Sequence, residues 1–278
     1  MRRRIAISGW IAALVLAWSG LAESQIWGPP KSNLWPRWEQ HSPSDTRSID
    51  HGAWDALLRK YLDTGHPSGI HRMNYKVVTA DNRRALEEYL GRLQSTPISG
   101  YNRREQPGYW VNLYNALTVK VILDHYPVKS IRSIKPNFLS FGPWDVKLVT
   151  VEGERLSLND IEHRILRPIW KDPRLHYAVN CASLGCPNLA GVAYTGENLD
   201  RLLTEGAVAY VNHPRGASFR NGRLRVSSIY DWFQDDFGGS AMGVLEHLRR
   251  YARGELAERL KGYDGRLEDS YDWELNEP

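Results

Sequence analysis

The chain has 278 residues, with 36 basic and 32 acidic side chains, eleven Trp, fourteen Tyr and two Cys. The charges are interspersed, so no basic block points to nucleic acid or an anionic membrane as the partner. The length fits one large domain or two small ones, and the aromatic load suits either a packed core or a cleft that grips sugars or peptides.

Arg2, Arg3 and Arg4 precede an apolar run from Ile5 to Trp18, and Ser19 to Ala22 supply small residues before a cut after Ala22. A charged start, a short apolar core and a small-residue exit define a secretory signal over 1–22. At about 14 residues the run is short for a bilayer-spanning helix. With no Cys beside the cut, no lipid anchor is expected. The expected mature chain is periplasmic or secreted, has no transmembrane segment, and carries 33 basic against 32 acidic side chains.

Residues 23–48 form a Pro- and Trp-rich extended leader, with Trp27, Trp35 and Trp38 expected on the surface. The globular domain is expected over 49–278. Trp54, Leu57, Leu58 and Tyr61 recur at helical spacing behind Asp50 as a cap. Tyr75 to Val78 suggests a short strand, and Asp81 a cap for a second helix through Leu86, Tyr89, Leu90 and Leu93. The longest helix is expected from Gly108 to His125, ended by Pro127. On it Asn112 and Asn115 stand three apart and can point the same way. Val146–Val151 and Arg155–Leu158 flank a hairpin turn. Ser157 with Asp160 then opens a helix that Pro168 is expected to stop. Leu175–Val179 suggests a buried strand leading into Asn180 and Cys181. A helix follows Thr195, and Asn221-Gly222 marks a type I′ hairpin. Helices over Ile229–Phe237 and Ala241–Leu260 complete an α+β, mainly helical single domain with short strands and hairpins.

Two cysteines in HYAVNCASLGCPN are the sharpest chemical feature. In an oxidising compartment, Cys181 and Cys186 invite a disulfide closing a small loop. The other reading makes Cys181 a nucleophile at a turn whose free backbone N–H groups lower its pKa and cradle an oxyanion. Such a thiol needs a His as base and a third group to orient it. The nearest histidines are His163, beside Glu162, and His176; adjacent helical residues point about 100° apart, so Glu162 and His163 do not face one spot directly. Asn112, Asn115, Asn180 and Ser183 are the polar binding candidates, and the amides serve equally to tie loops to helices. A zinc site lacks the second close pair of ligands, and no metal is expected. No phosphate-cradling loop or dinucleotide fingerprint is present, so no cofactor is indicated. A thiol-redox pair is a weaker reading, because the spacing is wider than C-x-x-C.

YWVNLYNALTVKVIL (109–123), LSLNDIEHRILR (156–167), HYAVNCASLGCP (176–187), IYDWFQDDFG (229–238) and YDWELN (271–276) resemble, in this order, the DUF547 family of uncharacterised domains. The likeness runs from about Ile49 to the C-terminus. The family is in turn similar to papain-like or transglutaminase-like thiol folds. That likeness implies Cys181 as nucleophile, His163 as base and Glu162 as an orienting or structural acid. With His before Cys, it also implies a permuted papain-like arrangement. Two functions follow as expectations. One is an exported Cys-dependent amide hydrolase or acyltransferase. The other is a non-catalytic envelope module that binds a peptide, protein or glycan and is closed by a Cys181–Cys186 disulfide.

Overall fold

The computed structural model describes residues 30–137 and 140–278; the expected export signal, its cut after Ala22 and Trp27 lie outside them. The described part of the leader is built into the molecule. Trp38 is 2% exposed and meets the Trp110 ring edge-on at 5.0 Å, with Trp35 against it at 6.0 Å. Arg37 pairs with Glu152 at 3.0 Å. The expectation of a surface-packed leader therefore fails for Trp38, whose indole buries more apolar area than a surface position offers.

Helix α1 spans Gly52–Tyr61, and Asp50 accepts the N–H of Gly52 at its first turn. Strands β1 (Leu62–Asp63) and β2 (Arg72–Met73) pair antiparallel. The strand expected at Tyr75–Val78 is instead a single 3-10 turn. Tyr75 is fully buried and its hydroxyl donates to Asn276 at 2.8 Å, an anchor that replaces strand alternation. Helix α2 (Ala80–Ser95) is capped by Thr79, which accepts from the N–H of Asn82, rather than by Asp81. Helix α3 (Gln106–His125) is buried on nearly all sides, not along one stripe. An apolar sequence enclosed by neighbours on every face does this, and α3 becomes the axis of the fold.

Strands β3 (Val149–Val151) and β4 (Glu154–Leu156) form the expected hairpin, with Glu152 and Gly153 at φ 46° and 86°. Ser157 and Asp160 then exchange hydrogen bonds, Ser157 N–H to Asp160 Oδ2 at 2.8 Å and Asp160 N–H to Ser157 Oγ at 3.1 Å. This reciprocal cap opens the helix as the spacing predicts. From Asp160 to Leu166 the helix widens to a π-helix before tightening into α4 (Arg167–Trp170). Pro168 does not stop it, because in the first turn of α4 its missing N–H costs nothing. The carbonyls of His163 and Arg164 lack helical partners, because the Arg167 N–H turns to Glu162 O and Pro168 has no N–H to give. They accept the N–H groups of Asn33 and Trp35 at 2.9 and 3.0 Å, which docks the leader on the wide segment.

The strand expected at Leu175–Val179 is a 3-10 turn over Pro173–Tyr177. Asp172 caps it through Arg174 N–H at 2.9 Å, and Pro173 fixes its first φ. Its unbroken apolar run reflects burial on two sides rather than a strand. Helix α5 (Leu199–Val211) leads to β5 (Ala217–Arg220) and β6 (Arg223–Ser227), joined at Asn221-Gly222 with φ 51° and 77°. Helices α6 (Ile229–Trp232), α7 (Ala241–Tyr251) and α8 (Gly254–Leu260) follow, and β7 (Leu267–Ser270) adds to β6 in parallel.

The result is an α+β domain, mainly helical, with small sheets of two or three strands. Two apolar clusters fill it. The first gathers the leader, α1–α3 and the β3–β4 hairpin, and the second gathers α5–α8 and the three-stranded sheet. Tyr177 belongs to the second cluster and Ala178, Val179 and Ala182 to the first, so the cysteine turn lies on the seam. Among the described residues, no helix is long and apolar enough to cross a membrane.

Candidate functional site

The turn after Tyr177 is fixed by amides from α3. Asn115 donates to the Ala178 carbonyl at 2.9 Å and accepts the N–H of Asn180 at 2.8 Å. Asn180 in turn accepts the N–H of Ala182 and donates to the Pro187 carbonyl, both at 2.8 Å. One turn of helix earlier, Asn112 grips both backbone groups of Tyr194, at 2.7 and 3.0 Å. These amides hold main chain, each donating once to and accepting once from backbone groups. Between them the loop is set so that Ala182, directly after Cys181, takes φ 57°. A left-handed alanine stores backbone strain that only such over-determined surroundings sustain.

The far side of the turn is closed by the C-terminal segment. Leu184 N–H donates to Glu274 O and Gly185 N–H to Asp272 O, each at 2.8 Å, and Asn276 N–H reaches Ala182 O at 3.1 Å. At Gly185 a Cβ would stand 2.7 Å from the Asp272 nitrogen, so this close crossing requires glycine. The N–H of Cys181 itself donates to Cys186 Sγ at 2.9 Å. The expected cradle of unpaired N–H groups is therefore depleted, since those of Cys181, Ala182, Leu184, Gly185 and Cys186 are engaged.

Hydroxyls take the place of that cradle. Cys181, partly exposed, has Tyr271 OH at 3.0 Å and Ser183 Oγ at 3.2 Å from its sulfur, and the two hydroxyls lie 3.2 Å apart. Both cysteines are free thiols. Burial opposes ionisation of Cys181, but hydrogen bonds from Cys186, Ser183 and Tyr271 outweigh it and hold its pKa below the ordinary thiol value. Burial and the neighbouring Cys181 push Cys186 well above that value, and burial likewise keeps the Tyr271 phenol protonated. Cys181 is thus the more readily ionised of the two thiols, and the Cys186 thiol and Tyr271 phenol beside it are the harder to ionise.

Behind this thiol lies a buried ionic group that joins Glu162, His163, Arg167, His176 and Asp236. Glu162 accepts from the Tyr114 hydroxyl, and its charge opposes ionisation of Cys181. Its Oε1 stands 3.9 Å from His163 Nδ1 and 3.7 Å from His176 Nδ1, so the widened helix lets neighbouring Glu162 and His163 approach each other. Asp236 Oδ2 receives His176 Nε2 at 2.7 Å and Arg167 Nε at 2.5 Å. These donors overcome burial and hold the Asp236 pKa down to about 2. Phe233 stacks on His176 at 4.5 Å and tilts against His163 at 5.6 Å.

Arg167 donates to His163 Nδ1 at 2.9 Å. Burial first, then the charges of Arg167 and His176, lower the His163 pKa to about 4. Among the described residues, the side-chain hydrogen bonds of the Cys181 sulfur involve Cys186, Ser183 and Tyr271, and none involves an imidazole. Cys181 and Ser183 are brought together, Glu162 and His163 stand behind them, and Asn115 and Asn180 brace the turn. Asn112 works at its far end. Tyr271, Arg167 and Asp236 were not singled out from the sequence. Tyr271 and Asp236 do fall in the strings YDWELN and IYDWFQDDFG, whose unusual composition was the available signal.

The fold and site define an α+β protein with a lowered-pKa cysteine in an amide-clamped turn. Residues 98–211 match the family described as protein of unknown function, DUF547, a stretch that includes α3, the wide helix and both cysteines. No curated protein and no solved structure matches the chain, so the papain-like and transglutaminase-like association finds no support among them.

Proposed function

We propose that the protein is an exported cysteine-dependent acyl-transfer enzyme, an amide hydrolase or acyltransferase, with Cys181 as nucleophile. The observation that carries this reading is the pair of hydroxyls on a partly exposed sulfur whose pKa they help to lower. The thiolate attacks a carbonyl carbon, a C–S bond forms, and the carbonyl oxygen takes up the charge. As the sulfur loses charge, the Tyr271 and Ser183 hydroxyls are free to donate to that oxygen instead. Collapse breaks the C–N bond, and water supplies the proton that leaves with the amine. Water, or a second amine, then attacks the thioester and restores the thiolate.

His163 was expected as the base, but its Nδ1 lone pair is held by Arg167. In this reading the lowered thiol pKa makes attack depend less on a base. His163 and Glu162 then set the field around the site, and His163 accepts a proton only when Arg167 lets go. The test is acylation by p-nitrophenyl acetate with mass analysis, alongside iodoacetamide alkylation across pH. A thioester on Cys181, absent in Cys181→Ala, is expected, with alkylation already fast below the ordinary thiol pKa. No adduct, together with alkylation no faster than that of a free cysteine, overturns the reading.

A second reading is favoured by the tight turn in which Cys181 N–H meets Cys186 Sγ. It is the envelope binding module closed by a Cys181–Cys186 disulfide. Free-thiol titration of protein recovered from an oxidising compartment separates the two: no free thiol supports the module, and a reactive Cys181 supports the enzyme.

A further inference from the structure

The C-terminal segment that closes the cysteine turn has a second edge. Leu275 N–H donates to the Lys129 carbonyl at 2.9 Å, so the segment joins the turn to the loop over 129–135. On this segment Tyr271 reaches the Cys181 sulfur, and Trp273 packs against Tyr271 with ring centroids 4.6 Å apart. Trp232 stacks on Trp273 at 5.5 Å and fixes its plane. Trp273 then forms one wall of a cavity of about 370 Å³, lined also by Ser130, Arg132, Ser133, Lys135 and Phe141.

Both charged residues in this lining are cations. Arg132 lies 5.1 Å over the Trp273 ring and has no carboxylate partner among the described residues. Lys135 is exposed and likewise unpaired there. The acids of the neighbouring segment, Asp272 and Glu274, alternate with Trp273 and do not line the cavity. Two unneutralised cations, two serine hydroxyls and an indole face are a receptor for oxyanions on a chain with some apolar length.

We propose that this cavity is an acidic-peptide subsite, holding the carboxylates of a peptide whose acyl group is transferred at Cys181. The proposal rests on the acyl-transfer reading above, and an amide substrate carries its oxyanions as carboxylates. Tyr271 and Trp273 are two residues apart, a rise of about 7 Å in an extended chain. A substrate lying along the segment therefore presents an acidic side chain within a few residues of the reacting carbonyl.

The test is calorimetric binding to the full-length Cys181→Ala protein, which does not depend on catalysis. The probes are an acetylated, amidated pentapeptide alternating alanine and glutamate, and its glutamine counterpart. At low salt the glutamate peptide is expected to bind about five- to tenfold more tightly, the scale of two partly screened ion contacts. The preference should vanish in Arg132→Gln/Lys135→Gln and fade at high salt. Arg132→Glu/Lys135→Glu should instead favour a lysine-bearing pentapeptide, which guards against simple loss of folding. Equal or undetectable binding of both probes, or a preference that survives the glutamine variant, overturns the subsite. An unreactive Cys181 overturns the acyl-transfer reading and leaves this binding comparison standing as a separate result.

Discussion

The two apolar clusters contribute differently to the one site between them. The first supplies rigid placement: Asn115 on α3 and Asn180 within the turn hold the backbone so that Cys181 precedes a left-handed Ala182. The second supplies chemistry across the seam: Tyr271 reaches the sulfur, Phe233 stacks on His176, and Asp236 ties His176 to Arg167. The match to the family described as DUF547 ends at residue 211, so Tyr271 and Asp236 lie beyond it. A turn can thus be positioned by one half of a domain and tuned by the other, and the tuning groups escape any search confined to the sequence around the cysteine.

Acid is the broadest way to break both halves at once. His51 in the first cluster, His247 in the second and His163 at the seam all have pKa values lowered to about 4, chiefly by burial. In the unfolded chain they titrate near 6.5, so between the two values the unfolded state binds more protons. Stability is then full above the unfolded pKa and is lost as pH falls from 6.5 toward 4. Asp236, held charged down to about 2, adds its loss only below this window. The combined loss is on the order of 5 kcal/mol, since a pKa that differs by one between folded and unfolded chains is worth about 1.4 kcal/mol and desolvation effects are only partly realised. Urea midpoints should hold from pH 7.5 to about 6.5 and then fall toward pH 4; a flat profile would show that these imidazoles are not buried neutral.

The next effect separates the two ends of the clamp. Asn180→Ala leaves the Ala182 N–H and Pro187 carbonyl without their partners, and Asn112→Ala does the same to both backbone groups of Tyr194. Each is expected to cost about 3 kcal/mol in urea unfolding, the scale of two buried groups left unsatisfied. Only Asn180→Ala should also slow alkylation of Cys181, because only it releases the strained Ala182. Equal slowing in both variants would mean that the thiol depends on overall stability rather than on the turn.

What the sequence made legible follows the same division. The Ser157–Asp160 cap, the Asn221-Gly222 turn and the apolar spacing of α1 and α2 are local signals, and the structure honours them. The segments expected as strands at Tyr75–Val78 and Leu175–Val179 became 3-10 turns; the second is buried throughout, whereas the first buries Tyr75 and Val78 and leaves Lys76 and Val77 exposed, a spacing of three that suits a turn. The π-helix at Asp160–Leu166 has as local marker only Pro168, whose missing N–H leaves carbonyls unpaired in the preceding turn. The rest comes from the leader, whose Asn33 and Trp35 N–H groups take up the His163 and Arg164 carbonyls. Strand β7, with its polar sequence Leu267–Ser270, is specified by its parallel pairing with β6 rather than by hydrophobic alternation. At the site, Cys181, Cys186 and Ser183 were visible because they are adjacent. Tyr271 meets them only after the chain has folded back across ninety residues.

The smallest effect asks which half of the molecule does more for the sulfur. A thiolate has no proton, so any hydroxyl beside it must donate. Tyr271 can give its one proton to Cys181, whereas Ser183 divides its own between the sulfur and the Tyr271 oxygen 3.2 Å away. Tyr271→Phe should therefore raise the Cys181 pKa and slow alkylation near neutral pH by up to about tenfold, the scale of one hydrogen bond to a charged group. Ser183→Ala should raise it by roughly half as much, since a second donor in a connected pair adds less than the first. Neither change should move the urea midpoint far, because each leaves the backbone clamp in place. If Ser183→Ala proves the larger, the donor local to the turn dominates, and the contribution across the seam is chiefly to packing.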